Sequence, residues 1–222
     1  MKTAFITGTT SGVGLEIAKH LIEIGWKVYG MSRTPSVIKH HYYRHLECDI
    51  TNADLIKVLV QYDVKDEIDL LINNSADFEY IDFENTELNV IDRIIDTNLK
   101  GSIYVTKYLL PLMKEPSRII FINSVAGLEE LENQSIYCAS KHGLTGFAGV
   151  LSKELQKRKI KVTSIHPGGI NTSLWSGSDF HDDLTKLLDP KEIAKLIAFI
   201  CDSQQNVEYK TIKLFPDIEW HQ

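Results

Sequence analysis

The sequence predicts an α/β fold: one domain, residues 1–222, with a mostly parallel central sheet flanked by helices. Three observations predict it. Strand-like and helix-like segments alternate from end to end. A glycine-rich turn joins the first strand directly to the first helix. No long polar linker divides the 222 residues, a length that suits one compact domain.

The elements follow in order. Thr3–Thr7 reads as a short buried strand. Gly14–Ile24 carries a helical apolar pattern and ends near Gly25, and Trp26–Met31 is the next strand. This is the opening of a βαβ unit. The crowded His40–His45 stretch reads as a loop entering a strand near Tyr43–Cys48. His40 and His41 are adjacent and no HExxH pattern occurs, so no metal site is expected. Leu55–Tyr62 reads as a helix and Ile68–Ile72 as a strand. Leu88–Leu112 holds two helical stretches or one bent helix. Ile119–Ile122 is a strand, Tyr137–Lys157 a long helix, and Val162–Ile165 and Thr211–Phe215 are strands with a helix at Pro190–Cys201 between them. The alternation is Rossmann-like.

Composition narrows the function. The net charge is −6, from 24 basic and 30 acidic side chains, which gives no attraction for nucleic acid. Hydrophobic residues make up 43%, enough for a substantial core. No run approaches a membrane span, and the opening MKTAFITGTT has no long signal-peptide core. Cys48, Cys138 and Cys201 form neither a disulfide framework nor a metal cluster. A soluble cytoplasmic protein with reduced thiols and no membrane partner is expected, and peripheral membrane contact stays compatible with the sequence.

The glycine-rich turn is the first chemical clue. Thr7-Gly8-Thr9-Thr10-Ser11-Gly12-Val13-Gly14 lies where a strand delivers the chain to a helix N-terminus. Small residues there let a ligand approach the backbone, and the exposed amides favour a pyrophosphate. The glycine spacing departs from the general GxGxxG fingerprint, so spacing alone leaves a purely structural turn in contention. At the end of the second strand the chain reads Tyr29-Gly30-Met31-Ser32-Arg33-Thr34, without an acidic residue. A carboxylate there would bond the ribose hydroxyls of NAD, whereas a basic residue meets the extra phosphate of NADP. Ser32 and Arg33 are therefore expected near a 2′-phosphate. NADP(H) is the preferred cofactor and NAD(H) stays compatible; the bland reading of Arg33 is a surface side chain.

The second cluster is Ser124, Tyr137 and Lys141. Tyr137 and Lys141 stand four residues apart on one predicted helix and share a face. Ser124 follows the preceding strand and can return to that face. Singly, each reads as an ordinary structural or exposed residue. At Ser-x12-Tyr-x3-Lys spacing, downstream of the glycine turn, they read as a set.

The turn resembles the TGxxxGxG loop, and the set the catalytic triad, of the classical short-chain dehydrogenase/reductase family. The likeness runs over roughly residues 2–215. It implies that Gly8, Thr10, Ser11, Gly12, Val13 and Gly14 hold cofactor phosphates. It places Asp49 and Ile50 near adenine, although Asp49 or Thr51 could equally cap the following helix. Asn73-Asn74-Ser75-Ala76 resembles the family's NNAG element and departs at its last two residues. Asn73 would hold the sheet; Asn74, Ser75 and Ala76 would stand beside the cofactor. The Ala76 Cβ either narrows that space or is absorbed by a backbone shift. Asn98, in Asn98-Leu99-Lys100-Gly101, resembles an additional catalytic asparagine with a structural and water-relay role. In His166-Pro167-Gly168-Gly169-Ile170-Asn171-Thr172, Pro167 and Gly168 would shape the nicotinamide pocket, and Ile170 and Thr172 would bind the carboxamide. His166 reads as a structural hydrogen-bonding residue.

The implied chemistry is hydride transfer between a carbonyl and an alcohol. Tyr137 would give or take the oxygen's proton. An unperturbed tyrosine titrates near 10, so Lys141 is expected to lower it. Ser124 would orient the substrate oxygen, and Lys141 would also hold the nicotinamide ribose. Leu128, Leu131, Leu174, Trp175 and Phe180 are candidate apolar walls for a small-molecule substrate. The resemblance also implies a homodimer or homotetramer built on helices around Leu99–Met113 and Tyr137–Lys157. The rival reading is a cofactor-binding regulator or redox sensor with little turnover.

Overall fold

The structure, a computed structural model, describes residues 1–175 and 184–217. The order is β1 (Thr3–Thr7), α1 (Gly12–Glu23), β2 (Lys27–Ser32), β3 (Tyr43–Glu47), α2 (Ala53–Asp63), β4 (Ile68–Asn73) and α3 (Leu88–Ile95). Then come α4 (Ser102–Leu109), β5 (Met113–Ile122), α5 (Ser135–Glu154), β6 (Ile160–Pro167), α6 (Pro190–Asp202) and β7 (Thr211–Leu214). The seven strands form one sheet in the order β3-β2-β1-β4-β5-β6-β7. Every strand pair is parallel, so "mostly parallel" becomes wholly parallel for this sheet.

Strand periodicity sorts the core into two layers, because successive side chains point to opposite faces. Phe5, Tyr29, Leu71, Phe121 and Val162 face one way, with Ile56 of α2, Val105 of α4 and Leu144 of α5. Ala4, Ile6, Val28, Leu70, Ile120 and Ile165 face the other, with Ile17 of α1 and Ile197 of α6. All five β1 residues are buried, as a central strand covered on both faces requires.

The strand order reverses between β1 and β4. In such sheets a crevice opens at the carboxyl ends of the strands on either side of the reversal. The loops after β1 and β4 meet there. Thr7 Oγ1 accepts from the Asn74 amide at 2.9 Å and the Ser75 amide at 3.0 Å. The Asn74 side-chain amide donates to the carbonyls of Thr7 at 2.9 Å and Gly8 at 3.2 Å. Asn73 ties the same strand to α4, donating to Thr106 Oγ1 at 3.0 Å.

Leu88–Leu112 is one bent helical region. A π-helical turn, Asp96–Gly101, joins α3 to α4, and a 3-10 turn, Leu110–Leu112, ends it. The bend packs α4 close: a Cβ on Gly101 would come within 2.7 Å of the Ile50 side chain. No helix among the described residues is long and apolar enough to cross a membrane.

Candidate active site

The glycine turn wraps the start of α1. Gly8 and Gly12 have φ of +74° and +53°, the left-handed region that favours glycine. Gly14 lies behind the turn, where a Cβ would press far inside contact with the Gly8 carbonyl. Ser11 is the N-cap residue of α1, but its hydroxyl makes no capping hydrogen bond, and the first turn has no acidic side chain. The first amides of α1 therefore keep their unmet demand for an anion, and the turn fits a pyrophosphate.

A cavity of about 380 Å³ runs from this turn across the ends of β2, β4, β5 and β6. Gly8, Thr10, Ser11, Gly12 and Val13 line its first wall; Ser32, Arg33, Asp49 and Ile50 line the next. Asn74, Ser75 and Ala76 border it at the switch point, and Pro167, Gly168, Ile170 and Thr172 come from the loop after β6. Ser124, Tyr137 and Lys141 line the same cavity.

Helix α5 brings Tyr137 and Lys141 onto one face, with the Lys141 Nζ 5.5 Å from the centre of the Tyr137 ring. Lys141 is 1% exposed, and its Nζ donates to the Ile122 carbonyl at 3.3 Å. Burial pushes its pKa down to about 8. Burial also pushes the Tyr137 phenol up to about 12, against a smaller opposite pull from the Ser124 hydroxyl. The expected lowering of Tyr137 by Lys141 is thus absent from this site. Loss of water from each group is what moves it. Ser124 sits at the start of a 3-10 turn, where its hydroxyl accepts from the Ala126 amide at 3.1 Å.

The comparisons agree with this geometry. The family model described as short chain dehydrogenase matches residues 2–181. The chain belongs to the short-chain dehydrogenase family. It is 29% identical to an uncharacterized oxidoreductase of Staphylococcus aureus (strain MW2), over 97% of each chain. It is similar to the ligand-free aldohexose dehydrogenase of Thermoplasma acidophilum, at 25% identity and a TM-score of 0.85, covering 97% of this chain and 92% of that one. The closed form of a serine dehydrogenase with NADP+ gives a TM-score of 0.88 at 24% identity, covering 96% and 94%.

In this short-chain dehydrogenase two expected site residues do not line the cavity: Gly14, for the steric reason above, and Asn98. Asn98 lies in the π-helical turn, 1% exposed. Its Oδ1 accepts from the Asp77 amide at 2.7 Å, and its Nδ2 donates to the Asp77 carbonyl at 2.9 Å and Ser140 Oγ at 3.0 Å. An amide so engaged braces the loop after β4 against α5. The cap of α2 is also corrected. Asn52, not Asp49 or Thr51, accepts from the Leu55 amide, while Asp49 bonds the amide and hydroxyl of Thr51. Ala76 has no left-handed φ, so alanine carries no such strain there.

The apolar walls are sorted similarly. Leu131 and Leu174 line the cavity and Leu128 does not; Phe180 and the side chain of Trp175 lie outside the described residues. Phe78 and Gln134 were missed. Phe78 meets the Tyr137 ring edge-on, with centroids 4.9 Å apart at 87°. Asn123 was missed as well: its Oδ1 accepts from the Ser124 amide, and its Nδ2 donates to Thr145 Oγ1 at 2.9 Å. His166 Nδ1 lies 2.9 Å from the Ser124 carbonyl, a structural contact. Cys138 is buried and its thiol pKa is pushed up by burial, which argues against a nucleophile. No group of three or more His, Cys, Asp or Glu that could hold a metal occurs among the described residues.

The cost of burying Lys141 is measurable. Its pKa of about 8 lies below the ordinary 10.5, so between those values the unfolded chain binds the extra proton. Wild-type stability gains from this group as pH rises through that window. Lys141→Met should therefore unfold at higher urea at pH 7, by roughly 1–3 kcal/mol, while losing turnover. The advantage should shrink toward pH 10.5. Equal or lower stability at pH 7 would reject burial as the dominant cost at this position.

Proposed function

We propose that this short-chain dehydrogenase interconverts a carbonyl and an alcohol, with NADP(H) as the preferred cofactor. In this reading Tyr137 is the proton donor and acceptor, Ser124 orients the substrate oxygen, and Lys141 holds the nicotinamide ribose. One observation carries it: the glycine turn and Ser124, Tyr137 and Lys141 line a single cavity. The nicotinamide, when bound, supplies or accepts the hydride.

The chain's own residues do the proton work. With its oxygen already accepting from Ala126, Ser124 keeps its proton to donate to the substrate oxygen. Tyr137 rests as the neutral phenol, which is the form that reduction consumes: its proton passes to the oxygen as negative charge builds there. Lys141, at about 8, is still largely an ammonium near neutrality and keeps its protons to donate to the nicotinamide ribose. Asn98 is a positioning residue in this scheme. Both ends of its amide are engaged in holding Asp77 and Ser140, so we assign it no direct contact with substrate.

Arg33 supports NADP(H). It is exposed on the cavity rim, beside Ser32, and among the described residues it makes no salt bridge. The fold alone does not choose, since one similar solved protein carries NADP+ and a 3-ketoacyl-(acyl-carrier-protein) reductase from Brucella melitensis carries NADH. Among the described residues, Phe78, Leu131, Gln134 and Leu174 bring uncharged side chains to the cavity, which suits a small, neutral, moderately hydrophobic carbonyl or alcohol. Three cysteines without a disulfide suit a reducing, cytoplasmic setting.

Tyr137→Phe should cut turnover at least a hundredfold, about the size of a lost general acid, with NADPH binding retained. Cofactor absorbance across a panel of ketones and aldehydes measures it, and near-normal turnover would sink the proton-transfer role. Tight cofactor binding with no turnover in the wild type would instead favour a regulator. For Arg33→Ala, the NADP+ dissociation constant should rise by about tenfold, with that of NAD+ nearly unchanged. Equal shifts for the two cofactors would count against a phosphate contact.

The reading includes a homodimer or homotetramer. On α5, Gly146 and Gly149 leave open space beside exposed Val150, a face that suits a second copy. Light scattering should give twice or four times the 25.2 kDa chain mass, and a monomer at working concentration would overturn this assembly.

A further inference from the structure

Beneath the glycine turn, four side chains form a line that the chemistry above leaves largely unused. Ser32 Oγ accepts from the Thr9 amide at 2.8 Å and lies 3.2 Å from Thr9 Oγ1. Thr9 Oγ1 is 2.8 Å from Tyr43 Oη, and Tyr43 Oη is 3.3 Å from His45 Nδ1. Thr9 is fully buried, and Ser32 is 6% exposed at the cavity wall. The line has a made place in the sheet. A Cβ on Gly30 of β2 would fall well inside contact with both Tyr43 Oη and Thr9 Oγ1. A glycine in mid-strand packs no side chain of its own, and here it marks that close approach.

Counting protons gives the line a direction. Each hydroxyl has one proton to donate. Burial holds His45 below its ordinary value, so its ring carries a single N–H near neutrality; the Glu47 charge and the Thr34 backbone pull the other way. The Tyr43 Oη–His45 Nδ1 contact admits either direction, and the tautomer that carries its proton on Nδ1, facing Tyr43, runs the line toward Ser32. His45 Nδ1–H then donates to Tyr43 Oη, Tyr43 O–H to Thr9 Oγ1, and Thr9 O–H to Ser32 Oγ. With the Thr9 amide as well, Ser32 receives two hydrogen bonds and is left with one proton to give.

We propose that Thr9, Tyr43 and His45 are positioning residues that present the Ser32 hydroxyl to the cavity as a donor, so that the β2 end selects a 2′-phosphate oxygen over a ribose hydroxyl. The inference rests on the NADP(H) reading above and names the residues behind Ser32 that enforce it. A phosphate oxygen is an anionic acceptor with no proton, which matches a committed donor. A ribose hydroxyl gains less, because it brings a proton that finds no acceptor at Ser32.

Calorimetric titration of the full-length protein with NADP+ and with NAD+ tests this. In Tyr43→Phe the NADP+ dissociation constant should rise about fivefold to tenfold, while that for NAD+ moves less than twofold. Thr9→Val should behave the same way, and Thr9→Ser, which keeps the hydroxyl, should retain the wild-type ratio. The Thr9 variants carry the comparison if Tyr43→Phe does not fold. Equal losses for both cofactors would mean that the line merely supports the turn, and would overturn the proposal. An unchanged ratio in Tyr43→Phe and Thr9→Val would overturn it too. Absence of any NADP+ preference in the wild type would overturn the cofactor reading itself, a result separable from failure of the variants.

Discussion

The reversal of strand order between β1 and β4 is the constraint on which the rest of the structure depends. A parallel sheet built outward in both directions from its centre must part its loops at that seam. Here the seam is clasped: Thr7 Oγ1 accepts two backbone amides from the β4 loop, and the Asn74 amide returns to two carbonyls of the β1 loop. Four hydrogen bonds thus couple the glycine turn to the segment that leads on to Phe78 and Tyr137. A close contact continues the coupling at Gly12, where a Cβ would come within 3.3 Å of the Thr172 side chain. The loops after β1, β4 and β6 are thereby held as one rim.

Burial sets the chemistry inside that rim. Tyr137 and Lys141 are displaced in opposite directions by the same cause, loss of water, which disfavours whichever form is charged. The consequence is a neutral phenol beside an ammonium that holds its proton only weakly. A buried ammonium with a carbonyl at 3.3 Å as its hydrogen-bond acceptor is poorly compensated. The neighbouring Asn123 is better satisfied. Asn123 reaches Ser124, Thr145 and the Lys141 carbonyl, so the strand end and α5 are stitched together behind Tyr137 and Lys141.

Much of this was legible in the sequence, for identifiable reasons. Strand and helix periodicities were strong, and β1, β4 and α6 fall within a residue of where the pattern puts them. The glycine turn, Ser124, Tyr137 and Lys141 were readable because their spacing is local or follows a recognised pattern. What was not legible depends on distance in the chain. Asn123 shows its use only when β5 and α5 are side by side. Tyr43 has no local signal, because its partner Thr9 is 34 residues away. The cap of α2 was misplaced for a subtler reason: Asp49, Thr51 and Asn52 are all competent, and Asp49 spends one oxygen on Thr51. Burial also overturned an electrostatic expectation. A lysine four residues from a tyrosine predicts a lowered phenol only where its attraction exceeds the cost of burying the phenolate.

Asn98 shows how a helix irregularity is coupled to Tyr137 without touching it. The π-helical turn at Asp96–Gly101 interrupts the regular ladder between α3 and α4, and Asn98 lies within it. Its amide grips the backbone of Asp77 on both sides and Ser140 Oγ beyond. Ser140 in turn donates to the Tyr137 carbonyl at 2.7 Å. On the far side of Asp77, Arg93 reaches Asp77 and Glu79 with one guanidinium, each at 2.8 Å, and so straddles Phe78. At 42% exposure the Arg93 pairs add little to stability, but they restrict where the loop can go. Phe78 is thus held from both flanks with its ring edge-on to Tyr137. The apolar cover that keeps water from the phenol therefore depends on Asn98 and Arg93, neither of which lines the cavity.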